Sequence, residues 1–264
     1  MTGRAVPFAL GAFLLGVLGV LSRDFAFQWQ PVPDAIPLRS VLASVSAVAM
    51  AAAALAAVMP RLAREGRLLL GLFFAIWAVL LHGPRVAAQP GSVAEWLGLA
   101  ESAAMAAGGV ALFAQTLEAE TWRRRLAFSS RIAFGLCLLV FGLSHFAYLA
   151  FTAQMVPAWL PWREGWAAAT GAGHVLAGLA FLSNRGVKAA GPAITGMMGS
   201  FVLLLHLPRV MASPGSRMEW TMLAVALTLS GAAFALWRQS VEAEEQSTEM
   251  LLLSGPVGAS GEAG

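Results

Sequence analysis

The chain has 264 residues, 58% of them hydrophobic and 12% charged, with a net charge of +3 and a mean hydropathy of +0.72. A soluble domain carries about 25% charged residues, so this composition excludes an ordinary soluble protein and points to the membrane. Only one of the 17 basic residues is Lys, and the basic residues stand in short loops without interleaved aromatics. The charge therefore reads as membrane topology and not as a nucleic-acid footprint.

Eight apolar segments follow in order, at about 6–22, 41–59, 67–83, 93–115, 130–152, 165–183, 190–207 and 217–237. Each is close to the length that crosses a ~30 Å hydrocarbon core, given tilt. The pattern predicts an all-α polytopic membrane protein. The third and seventh segments are the short ones. The single cysteine, Cys137, lies inside an apolar run and reads as a small buried residue, which excludes an intrachain disulfide or a thiolate metal cluster.

The segments form two sets. Residues 82–96 read HGPRVAAQPGSVAEW and residues 206–220 read HLPRVMASPGSRMEW, with ten of fifteen positions identical at an offset of 124. At the same offset Val32, Pro33, Pro37 and Arg39 match Val156, Pro157, Pro161 and Arg163, and Arg61 matches Arg185. The expected architecture is two parallel four-helix repeats, 6–115 and 130–237, joined by a linker at 116–129 and followed by a disordered tail at 238–264. An even helix count per repeat gives both copies one orientation, with a pseudo-twofold along the membrane normal. Met1, Arg4 and the apolar run after them mimic a signal peptide. The positional match of 8–22 to the second copy assigns that run to the folded unit instead. With the N-terminus inside, eleven basic residues fall on inner segments and six on outer loops. That balance predicts cytoplasmic termini in a bacterial-type inner membrane.

The repeated motif mixes helix-end signals with residues that turn chemistry does not need. Pro84 and Pro208 predict that the third and seventh helices stop near His82 and His206. Pro90-Gly91 and Pro214-Gly215 are turn dipeptides. Ser92 with Glu95, and Ser216 with Glu219, fit capping boxes. Trp96 and Trp220 fall at interface depth. Arg85 and Arg209 either snorkel or pair with the nearby Glu, or face each other as an anion-contacting pair suited to a carboxylate, a sulfur oxyanion or a quinone carbonyl.

Intramembrane ionisable residues are costly and are functional candidates. His82 and His206 correspond by the offset. His145 and His174 do not: Leu21 and Met50 stand opposite them. His174 lies ten residues past Glu164, about 15 Å along a helix, near mid-membrane. Either it binds a neighbouring backbone carbonyl or it serves a site. Glu101 is likewise unmatched, with Val225 opposite, and suits a proton carrier or the buried partner of a histidine. No HxxxH spacing or cysteine ligand supports a metal or haem site.

The second copy carries GLSHF at 142–146, VPAWLPWREGW at 156–166 and TGAGHVLAGLAFL at 170–182, with His206 late in the next helix. In this order it resembles the DoxX-like family of small four-helix membrane proteins. The resemblance covers 130–237 and reaches 8–113 through the offset. It departs where the first copy has SRDFAF at 22–27 and where His174 stands near the family's acidic residue. It implies a membrane subunit associated with quinone-linked oxidoreductases or with redox-protein maturation. The expected function is a redox-associated membrane protein that binds a quinone or a small oxidisable or anionic substrate near the outer face, with a redox partner protein. His206, Arg209 and His145 would line the site, with His174, His82 and Arg85 nearby. Histidine moves protons near neutral pH. A non-catalytic assembly subunit and a small-anion carrier are the alternatives.

Overall fold

A computed structural model describes residues 2–253, with side chains through residue 245. It contains eight helices long and apolar enough to cross a membrane: α1 (Gly3–Ser22), α2 (Arg39–Val58), α3 (Ala63–Ala88), α4 (Val93–Ala114), α5 (Glu120–Ala147), α6 (Arg163–Ser183), α7 (Val187–Ala212) and α8 (Arg217–Glu245). A short helix, Leu149–Met155, lies between α5 and α6. No strand occurs among the described residues. The protein is an all-α, eight-span integral membrane protein. The start of α1 and the end of α8 lie on one face because the number of crossings is even. The segments 23–38, 89–92, 148–162 and 213–216 lie on the other, here the loop face.

Four expected boundaries move. α3 and α7 do not stop at His82 and His206. Each passes through a π-turn, Trp77–His82 and Phe201–His206, and runs six residues further. Gly83 N–H donates back five residues to Ala78 O, and Leu207 N–H to Val202 O. The wider turn takes the proline ring that a regular α-turn would reject. The linker shortens because α5 already starts at Glu120, whose carboxylate pairs with Arg123 and Arg124 at i+3 and i+4. Such pairs support a charged helical turn. The final helix continues to Leu253, so of the expected tail only 254–264 remains, outside the described residues.

The neighbour relations recur at the 124-residue offset. α1 packs on α2 as α5 packs on α6, α3 on α4 as α7 on α8, and α8 on α1 as α4 on α5, while α4 and α8 meet at the centre. Both apolar cores use α4 and α8, one with α1–α3 and the other with α5–α7. Without a hydrophobic drive between helices in lipid, close approach over small residues holds such a bundle together. Two arginines satisfy helix C-terminal carbonyls that would otherwise be orphaned. Arg67, 2% exposed, donates from Nε to Ala57 O at 3.1 Å and from Nη1 to Leu112 O at 3.4 Å. Arg131 does the same for Phe181 O and Leu182 O. Cys137 is buried in α5 with no disulfide partner.

Candidate functional site

The repeated hairpin is mostly structural. Glu95 N–H donates to Ser92 Oγ at 3.4 Å, and Glu219 N–H to Ser216 Oγ at 3.3 Å, so each serine caps its helix. The reciprocal half of the capping box is absent. Ser92 N–H goes to Gln89 O and Ser216 N–H to Ser213 O, and each glutamate turns to the arginine ten residues before it. Arg85 forks onto Glu95 at 2.7 and 2.8 Å, and Arg209 onto Glu219 at 2.9 and 2.9 Å. The two guanidiniums spend their planar forks within their own hairpins. Trp96 and Trp220 each donate from Nε1 across the turn, to Pro90 O and Pro214 O at 2.9 Å.

The histidines divide differently. In the first half the space beneath the loop face is nearly filled, with about 10 Å³ left against Met50. His82 is 2% exposed, and its Nε2 lies 3.2 Å from Trp29 O. Its ring rests on Gly98, where any Cβ would meet it at 2.7 Å. Met50, Phe74, Trp77 and Met105 belong to the core cluster of this half, each at most 3% exposed.

In the second half the corresponding positions leave a cavity of about 270 Å³, lined by His145, His174, His206, Tyr148, Phe201 and Met198, and closed from the first half by Trp29 and Glu101. Its mouth lies beside the short helix, where Phe151 is 65% exposed. The offset explains the opening. His174 replaces Met50, His145 replaces Leu21, Phe201 replaces Trp77 and Met198 replaces Phe74.

Local structure fixes the two unmatched histidines. His145 Nδ1 donates to Phe141 O at 2.8 Å and His174 Nδ1 to Thr170 O at 2.9 Å, each to its own helix. A carbonyl only accepts, so Nδ1 carries the proton and the neutral ring leaves Nε2 as a lone pair. Close packing of α5 on α6 brings the rings together, with centroids 4.9 Å apart. A Cβ at Gly171 would meet His145 Cβ at 2.9 Å, so glycine there permits the approach. Phe141 stands edge-on to His174, with centroids 5.7 Å apart.

The rest of the wall holds His206 and Trp29. His206 makes no hydrogen bond among the described residues, and its Nδ1 is sealed from solvent. Trp29 Nε1 is also buried without a well-formed bond, and the carboxylate it faces is that of Glu101. Buried unpaired polar atoms are uncommon and call for an explanation. Both of these belong to residues that line the same cavity.

Of the expected site residues, the fold thus gathers His145, His174 and His206, with Glu101 opposite. It leaves His82 in the packed half, and Arg85 and Arg209 in the hairpins. Trp29 and Tyr148 carry no sequence motif. The offset comparison alone marks them, since Ala153 and Asp24 stand opposite. No grouping of three or more His, Cys, Asp or Glu among the described residues is arranged to hold a metal ion. The chain matches no family model, no curated protein and no solved structure.

Proposed function

We propose that this membrane protein binds a small ring-sized ligand of the quinone or quinol head-group class in the His145–His174–His206 cavity, as a redox-associated subunit. The carrying observation is that three histidines and one glutamate from both halves converge on a cavity of about 270 Å³, where the first half leaves about 10 Å³ against Met50. Ligand pockets start at about 300 Å³. At about 270 Å³ this one suits a single ring, with any apolar tail leaving past Phe151.

The residues fit that class. The Nε2 atoms of His145 and His174 accept from quinol hydroxyls, and the Trp29 N–H, which faces Glu101, donates to a carbonyl oxygen once a ligand draws it away. Glu101 is placed to take or return a proton. Phe141, Met198 and Phe201 supply apolar walls. A bound quinone would supply two-electron, two-proton chemistry, with electrons exchanged through a partner redox protein. The satisfied forks of Arg85 and Arg209 weigh against a small-anion carrier. On the same reading the chain is a tandem duplicate of a DoxX-like unit, 6–115 and 130–237, in a bacterial-type inner membrane with cytoplasmic termini.

One observation favours the second reading, an assembly subunit. Trp159, Trp162 and Trp166 are 69%, 82% and 48% exposed on the loop face, a surface that suits a partner as well as lipid headgroups. Quinone extraction from the purified chain and titration with a short-chain quinone separate the two. Binding to the wild type should weaken at least about tenfold in His206→Ala and Glu101→Gln. A chain that carries no quinone, and variants that bind the analogue like the wild type, would falsify the quinone reading.

A further inference from the structure

On the face of both termini, far from the histidine cavity, lies a cleft of about 500 Å³ between the amphipathic start of α5, the end of α8 and the start of α1. Its walls carry Arg4, Arg123, Arg124 and Arg131 against Glu120 and Glu242. Glu242 pairs with Arg4 and Glu120 pairs with both Arg123 and Arg124. Four guanidiniums thus face two carboxylates. Arg131 meets no carboxylate among the described residues: it binds the helix-end carbonyls Phe181 O and Leu182 O and stacks over Phe128.

The floor of the cleft holds a second unmet need. Gln115 and Gln239 correspond at the 124-residue offset. Gln239 is satisfied: its Nε2 donates to Ala111 O at 3.1 Å, and its Oε1 accepts from Ser130 at 3.4 Å. Val6 stands where Ser130 does in the other half, so Gln115 lacks that hydroxyl. Both polar atoms of its carboxamide are buried without a partner.

We propose that this cleft binds the phosphodiester head of an anionic phospholipid from the leaflet on the side of the termini. A phosphate oxyanion uses the guanidinium excess, and guanidinium forks suit it geometrically. Basic pockets between spanning helices are the form that such recognition takes. The flanks favour a lipid over a soluble phosphate. Trp122 and Phe128 are 58% and 61% exposed beside the arginines, where aromatic side chains belong at headgroup depth.

The test uses the full purified chain and native mass spectrometry after exchange into phosphatidylglycerol or phosphatidylcholine, with sodium phosphate as competitor. Phosphatidylglycerol should be retained over phosphatidylcholine. Arg123→Ala/Arg124→Ala should reduce that retention about thirtyfold, from about fivefold per surface arginine. Glu120→Gln, which removes a competing carboxylate, should raise it. A merely structural role for these residues gives no such opposite signs. Equal retention of the two lipids, or retention unmoved by either variant, overturns the proposal. Displacement of lipid by millimolar sodium phosphate overturns it in favour of a soluble phosphate site.

Discussion

His145 and His174, on neighbouring helices, hold their rings 4.9 Å apart while each spends Nδ1 on its own helix backbone. Two acceptors are thereby fixed side by side in a membrane interior. Each position has an apolar counterpart at the 124-residue offset, Leu21 and Met50. Met50 is 2% exposed in a packed core. His174→Met copies the packed half into the hollow one. Filling a cavity typically adds about 0.5–2 kcal/mol, and methionine adapts to irregular space. The variant should melt at or above the wild-type temperature and lose affinity for a quinone analogue at least tenfold. A variant that melts higher and binds the analogue normally would sever the histidine from the site.

Arg67 ties two helices from one position. Its guanidinium satisfies Ala57 O at the end of α2 and Leu112 O near the end of α4, while 2% exposed. Each buried carbonyl left unpaired costs about 1–3 kcal/mol. Arg67→Ala should therefore destabilise the fold by at least about 2 kcal/mol, read as a lower thermal midpoint in detergent. Arg67→Lys should not restore it, because a single ammonium cannot reproduce the fork. A midpoint within a degree of the wild type would show that water reaches these carbonyls.

The Arg209–Glu219 fork closes its own hairpin. Glu219 is 15% exposed and Arg209 is 41% exposed, so solvent screens part of the pair, and its contribution is about 1 kcal/mol. Arg209→Ala should lower the thermal midpoint by a few degrees and leave quinone-analogue affinity within twofold. A tenfold loss of affinity with little change in stability would return Arg209 to the binding site.

Much of this architecture can be read from the residues. Eight apolar runs announce eight spans, and the offset of 124 locates the positions where one half departs from the other. His145, His174 and Glu101 stand out in that comparison before any coordinates. What cannot be read is which departures meet. Glu101 belongs to α4, and it closes the cavity only because α4 packs on α5 across the halves, a tertiary relation without a local signal. The helix ends misled for another reason. Proline after His82 and His206 reads as a stop, yet a π-turn absorbs it. The charged run at 120–125 reads as a linker, yet its i,i+3 and i,i+4 pairs with Glu120 extend α5.

Asp24 secures the loop that carries Trp29. Its carboxylate accepts Phe25 N–H at 2.8 Å, pairs with Arg39, and lies 3.4 Å from Arg217 Nη1 at the start of α8. Arg217 also donates to Asp24 O and Phe25 O and stacks over Phe27. Partial burial alone would push this carboxyl up. The backbone hydrogen bond and the two guanidiniums together outweigh burial and hold it below its ordinary value of 3.8. The sign follows from linkage: a depressed folded-state value gives stability that is present above the unfolded value and lost as pH falls through the folded one. The thermal midpoint of the wild type should exceed that of Asp24→Asn at pH 7, and the gap should close as pH drops below about 4. Parallel curves down to pH 3 would mean that Arg39 and Arg217 hold the loop through its backbone carbonyls alone. The same variant bears on the site. Trp29 O meets His82 and the Trp29 indole faces Glu101, so a looser loop at neutral pH should also raise Trp29 solvent accessibility, read as increased quenching of tryptophan fluorescence relative to wild type.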